Sequence, residues 1–187
     1  SLFSLIYLPS TLENVFDEDE LENWLMEVIP ILSQQLPDNP IILKPHPLQK
    51  MNHLRRVLSK MNNINCLVSF VHPGLLAAQA QVVISHHSTT IIDAMALNVP
   101  VIHHQFYTDH WLKRHPLGSS LLGYGQIKTY DDDSLRQALK DIESIQSPYI
   151  SLIKNIKHSD NIQNLFDKMK LSDKTKSVNT KEILSND

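Results

Sequence analysis

Val82-Val83-Ile84-Ser85-His86-His87-Ser88-Thr89-Thr90-Ile91-Ile92-Asp93-Ala94-Met95-Ala96 decides the fold. Val82–Ser85 is too short for a helix and too apolar for a strand with one wet face. A hydroxyl-rich turn follows, and Ser88–Leu97 then has helical spacing. A buried strand feeding a helix is the unit of a parallel sheet covered on both faces.

The same unit recurs on either side. Leu2–Leu8 reads as a strand stopped by Pro9, and the acidic Asp17–Glu22 suits a helix start, where carboxylates meet the positive end of the macrodipole. Leu21, Trp24, Leu25, Val28 and Leu32 continue that helix, which Pro30 should bend or shorten. Ile41–Lys44 is a second strand, and Leu48, Met51, Leu54, Leu58 and Met61 mark a second helix. Asn65–Phe70 reads as a strand, Gly74–Ala80 as a short helix and Pro100–His103 as a fifth strand. Asp131–Ile145 and Tyr149–Met169 read as the last helices. The expectation is an α/β, doubly wound, Rossmann-like parallel sheet over residues 1–169, with a polar, frayed tail over 170–187.

Composition narrows the function. The 187 residues carry 17 Lys+Arg against 20 Asp+Glu, a net charge of −3, which argues against general nucleic-acid binding. No apolar run reaches the length of a membrane span, and no secretory leader is evident. Cys66 is the single cysteine, so no internal disulfide can form and a cytoplasmic compartment is expected. With 4 glycines there is neither a G-x-G-x-x-G nor a G-x-x-x-x-G-K-[ST] cradle. The chain opens on Ser1 and is read as a piece of a longer protein.

In a doubly wound sheet, ligands sit beyond the carboxyl ends of the strands. Lys44-Pro45-His46-Pro47 leaves the second strand with its backbone pinned by two prolines. His46 there can contact a base or a phosphate, and Lys44 can add positive charge. Ser88 and Thr89 open the helix after the fourth strand, where hydroxyls and free N–H groups can hold an anion. Asp93 shares a helix face with Thr89 and is placed for ribose hydroxyls. The ten histidines include His86-His87 and His103-His104. Adjacent residues on an extended segment point to opposite faces, so neither pair is a chelate. No metal-ligand spacing occurs, and no tightly bound cofactor or metal is expected. His110 and His115-Pro116 lie in the loop after the fifth strand and read as solvated.

Together, Lys44-Pro45-His46-Pro47, Ser88-Thr89 with Asp93, and Pro100-Val101-Ile102 resemble the carboxyl-terminal half of GT-B glycosyltransferases. More narrowly they resemble the capsule and teichoic-acid group: CDP-glycerol glycerophosphotransferases, polysialyltransferases and Kdo transferases. Tyr7-Leu8-Pro9-Ser10-Thr11 is similar to the Y-x-P-T segment of the glycerophosphotransferases, and Gly125-Gln126-Ile127 before the Asp131 helix resembles their closing strand and helix. The resemblance implies a single GT-B half that binds a nucleotide-activated donor, CDP- or CMP-linked in preference to UDP-linked. It places the nucleotide on His46, its phosphates on Ser88 and Thr89 and its ribose on Asp93. The implied role is group transfer in surface-polysaccharide synthesis, in the cytoplasm or at the inner membrane face through a full-length protein. An amino-terminal acceptor domain or another chain would complete the enzyme, and the isolated chain would be inactive. Two alternatives remain: a UDP-GlcNAc 2-epimerase-like domain, which shares the fold and an acidic residue at the place of Asp93, and a non-catalytic copy of the fold.

Overall fold

The computed structural model describes residues 3–9, 17–61, 63–86, 88–104 and 127–142. The chain divides into two units, Ser1–Ile150 and Ser151–Asp187, and every described residue lies in the first. The expected Tyr149–Met169 helix, the tail and the loop histidines His110 and His115 lie outside the described residues.

Six strands form one sheet: β1 (Phe3–Tyr7), β2 (Ile41–Lys44), β3 (Cys66–Val68), β4 (Ala80–Ser85), β5 (Val101–His104) and β6 (Ile127–Thr129). The order is β3-β2-β1-β4-β5-β6, and every pairing is parallel. This is the doubly wound Rossmann-like order. The chain moves outward from β1 in one direction, then returns to place β4 on its other side, so the topological switch lies between β1 and β4.

The helices explain their own ends. In α1 (Glu18–Gln35), Asp17 accepts from the Glu20 N–H at 2.7 Å and the Glu20 carboxylate accepts from the Asp17 N–H at 3.0 Å. This reciprocal cap satisfies two otherwise orphaned donors. Pro30 lies inside α1 and does not shorten it. The carbonyl it deprives belongs to Met26, on the exposed side of the helix, where water can serve it. Helix α2 (Met51–Ser59) begins later than Leu48, which sits in a turn closed by the Gln49 N–H on His46 O at 2.9 Å. Helix α3 (Pro73–Ala77) ends before Ala80, which belongs to β4. The first residue of α3 is proline, whose lost N–H costs nothing there.

Helix α4 (Ile91–Ala96) is shorter than its periodicity suggests. Asn98 has φ 59°, the Asn98 N–H donates to Met95 O at 3.0 Å, and the Val99 N–H donates to Ala94 O at 3.0 Å. That pair of bonds is a Schellman stop, with asparagine taking the left-handed position. Helix α5 (Asp132–Lys140) starts on Asp131, which accepts from the Ser134 N–H at 2.8 Å.

The sheet separates two apolar layers. One packs Ile6, Leu43, Ile84 and Ile102 against α1, α2 and α5, with Trp24 fully buried. The other packs Leu5, Val83 and Val101 against α3 and α4. Each buried aliphatic side chain contributes about 1.5–3 kcal/mol. Cys66 is free and half-buried, and burial pushes its thiol up to about 12. Among the described residues, no helix is long and apolar enough to cross a membrane.

Candidate functional site

Polar residues stand at the carboxyl ends of the central strands, last in β1, β2 and β4 and next to last in β5, and register aligns them. Tyr7 pairs with Lys44 on one side and with Ser85 on the other, Ser85 pairs with His103, and His103 pairs with Lys128. The row Lys44–Tyr7–Ser85–His103 therefore crosses β2, β1, β4 and β5 at their carboxyl ends and spans the switch. Alternation along the strands puts this row on the face that carries α3 and α4, below Leu5, Val83 and Val101.

Tyr7, Ser85 and His103 are buried. The Tyr7 hydroxyl donates to Pro73 O at 2.9 Å. Burial, with a further contribution from the Asp93 carboxylate, raises its pKa well beyond the usual phenol range. Tyr7 is thus a neutral donor already committed to the α3 turn. Lys44 is half-buried, and its ammonium donates to Pro45 O at 3.0 Å. Burial lowers its pKa. Ser85 Oγ is buried with no hydrogen-bond partner. His86, one residue beyond β4, is fully buried. Its ring meets Trp24 edge-on at 6.2 Å and His103 at 6.4 Å.

The residues singled out from sequence occupy the exits of β2 and β4, the two strands that flank β1. His46 Nδ1 accepts from the Leu48 N–H at 3.2 Å. That bond selects the tautomer whose Nε2 carries the hydrogen, so the ring presents a donor. Ser88 and Thr90 share a hydrogen bond of 2.5 Å between hydroxyls, and the Thr90 N–H donates to Ser88 Oγ at 3.4 Å. Thr89 is exposed. The first turn of α4 is less open than its sequence suggests. The Ile92 N–H donates to Thr89 O at 3.1 Å and the Asp93 N–H to Thr90 O at 3.2 Å, which leaves Thr89 and the turn before it as the accessible donors. Asp93 is exposed and close enough to act on Tyr7.

The structure brings Lys44 and Asp93 to the same side of the sheet as Tyr7. It adds Tyr7, Ser85 and His103, to which the sequence reading gave no binding role. Their shared signal is a polar residue directly after an apolar run at the end of a strand: Leu-Ile-Tyr, Val-Ile-Ser and Val-Ile-His. His103 and His104 face opposite layers, as extended backbone requires. Among the described residues, no three His, Cys, Asp or Glu side chains gather as a metal site.

Neither a family profile nor a characterised sequence matches this chain. Solved structures do share its fold. The UDP-GlcNAc 2-epimerase of Neisseria meningitidis bound to UDP-GlcNAc is 13% identical with a TM-score of 0.55, over 87% of this chain and 42% of its own. The UDP-GlcNAc 2-epimerase of Methanocaldococcus jannaschii, in complex with UDP-GlcNAc and UDP, is 18% identical with a TM-score of 0.50, over 89% and 45%. The glycotransferase of kitacinnamycin is 18% identical with a TM-score of 0.45, over 77% and 35%. The chain thus spans less than half the length of these structures. The likeness is one of fold alone: an α/β, Rossmann-like domain that the two 2-epimerases share.

Proposed function

We propose that the crevice at the β1–β4 switch binds a nucleotide-activated donor, and that the chain is the nucleotide-binding half of a group transferase. The observation that carries this reading is the polar row Lys44–Tyr7–Ser85–His103 at the carboxyl ends of four adjacent strands. Ser85 Oγ, buried there with no hydrogen-bond partner, is costly without a role, and a doubly wound sheet binds its ligands there.

In this reading His46 offers its Nε2 hydrogen to the nucleotide, Ser88 and Thr89 bind its phosphates, and Asp93 accepts from the ribose hydroxyls. Transfer is a displacement at the donor carbon. The carbon–oxygen bond to the nucleotide phosphate breaks, its electron pair stays on the phosphate oxygen, and the acceptor hydroxyl oxygen bonds to the carbon while its proton passes to a base on the second domain or chain. Fixed donors and the Lys44 ammonium stabilise the charge that builds on the leaving phosphate. A second domain or chain supplies the acceptor, and surface polysaccharide is the product class that the sequence resemblance suggests. The resemblance favours cytidine donors, whereas the structures of similar fold carry uridine ligands.

Epimerisation of a UDP-sugar is the second reading, supported by the fold likeness to the two 2-epimerases. Calorimetric titration of CDP and UDP into the chain and its His46→Ala variant tests both. Binding of either nucleotide, weakened about ten- to hundredfold by the substitution, supports the nucleotide site. A CDP preference favours transfer from a cytidine donor, and a UDP preference favours uridine-sugar chemistry. No binding of either nucleotide overturns the proposal.

A further inference from the structure

His72 lies outside the groups assigned above, and its setting repeats that of His46. Both precede a proline, and both rings accept a backbone N–H from two residues on. Nδ1 of His46 accepts from Leu48 and Nδ1 of His72 from Gly74, each at 3.2 Å. A ring nitrogen that accepts does not carry the hydrogen, so in each neutral ring Nε2 does. Such a nitrogen is a donor, with no lone pair to give a metal ion. The two turns leave neighbouring strands side by side, because β2 and β3 pair through Leu43 and Val68 and the Ser69 N–H donates to Leu43 O at 2.9 Å. His72 is exposed. The group it offers is its side chain, not the amides of the short helix behind it.

Tyr7 fixes where that donor stands. It is 2% exposed, too deep to meet a ligand itself. Its hydroxyl donates instead to Pro73 O at 2.9 Å, 66 residues away in sequence. The bond ties the turn after β3, the edge strand of the sheet, to the end of β1, where Tyr7 pairs with Lys44 and Ser85. His72 is the residue before the one that Tyr7 holds, so a donor that starts from the sheet edge is brought toward the switch. Leu48, Phe70 and Val71, on the same two turns, are 55%, 70% and 50% exposed. Large apolar side chains so open at strand exits suit a flat ring, and fixed N–H donors beside them suit the oxygens of that ring or of a phosphate.

We propose that His72 is a further binding residue of the nucleotide crevice, donating from Nε2 to an oxygen of the nucleotide, and that Tyr7 is its positioning residue. This rests on the nucleotide reading above, and the experiment separates the two. CDP and UDP are titrated calorimetrically into the full chain and into His72→Asn, whose amide oxygen can take the Gly74 N–H and keep the turn. The variant should melt at the parent temperature and bind the preferred nucleotide about two- to tenfold more weakly. Tyr7→Phe should weaken binding in the parent and add nothing on top of His72→Asn, because the tether matters only while the donor is there. A purely structural tyrosine would weaken both backgrounds alike, and that result would overturn the role given to Tyr7. Titrating the bare nucleoside and pyrophosphate locates the acceptor: the ligand whose affinity falls in His72→Asn carries the oxygen. Unchanged nucleotide affinity in His72→Asn overturns the inference and leaves the nucleotide site standing. A parent chain that binds neither CDP nor UDP overturns both.

Discussion

His104 Nε2 lies 2.9 Å from Glu27 Oε1, and the other ring nitrogen lies 2.8 Å from Thr129 Oγ1. One fully buried imidazole therefore links α1, β5 and β6. Burial, then the Asp132 and Asp131 carboxylates, raises Glu27 from its ordinary 4.5 to about 7. Burial lowers His104 from 6.5 to about 4, against the opposing pull of Asp132 and Asp131.

The signs of these two shifts oppose. A raised carboxylate gives stability that is lost as pH rises through its folded value; a depressed imidazole gives stability that is lost as pH falls through its folded value. Between about 4.5 and 6.5 the pair holds one proton when unfolded, on the histidine, and one when folded, on the glutamate. Its contribution to stability should be flat there. Glu27→Gln removes one side of the balance, so stability should then fall as pH drops from 6.5 toward 4. Urea denaturation of both proteins across this range checks the difference in slope.

Trp24 is fully buried, and its indole N–H donates to His104 O at 3.3 Å. Trp24→Ala should destabilise the fold by about 3–5 kcal/mol through lost packing and a cavity. Trp24→Phe keeps an aromatic ring but strands a buried carbonyl, at about 1–3 kcal/mol. Chemical denaturation that ranks Phe at or below Ala would contradict this division.

Ser88 and Thr89 should separate in function. Ser88 Oγ is tied to Thr90, so Ser88→Ala should loosen the turn, whereas Thr89→Ala removes an exposed hydroxyl with little effect on stability. The double variant should bind nucleotide about tenfold more weakly, since two hydroxyl bonds at about 0.5–1.5 kcal/mol each are removed. Calorimetry measures the affinity, and thermal melting measures the cost to the turn.

Asn98 should tolerate glycine and reject valine. Its φ of 59° suits glycine, and a β-branched residue there costs roughly 1–2 kcal/mol or more. Equal melting temperatures for Asn98→Gly and Asn98→Val would show that the Schellman stop contributes nothing.

Much of the fold was legible because burial on both faces leaves strands such as Leu-Ile-Tyr and Val-Val-Ile without polar interruptions. The helix caps at Asp17 and Asp131 were legible in the same way, as acidic residues before apolar periodicity. The strand-end row was not. Tyr7, Ser85 and His103 each look like the end of a strand, and only register makes them neighbours across 78 and 18 residues of sequence. The His104–Glu27 pair is hidden for the same reason, being 77 residues apart. Lys44, His46 and Asp93 stand out in the sequence because prolines or apolar neighbours isolate them. Pro30 misled, since a proline whose orphaned carbonyl faces solvent need not end a helix.

The sheet order also sets a timetable for synthesis. β1 is the central strand, yet its second neighbour, β4, begins at Ala80, some seventy residues after β1 ends. At roughly 5–20 residues per second, an amino-terminal segment that has already paired β1 with β2 waits on the order of 2–8 seconds, while the residues from Lys44 to Ser85 are made, with the other edge of β1 open. That edge carries Leu5 and Ile6, so the nascent half exposes an unpaired apolar strand until the second half arrives. A chaperone that engages this chain during translation has its natural window there, and translation pauses placed between Lys44 and Ala80 would lengthen it.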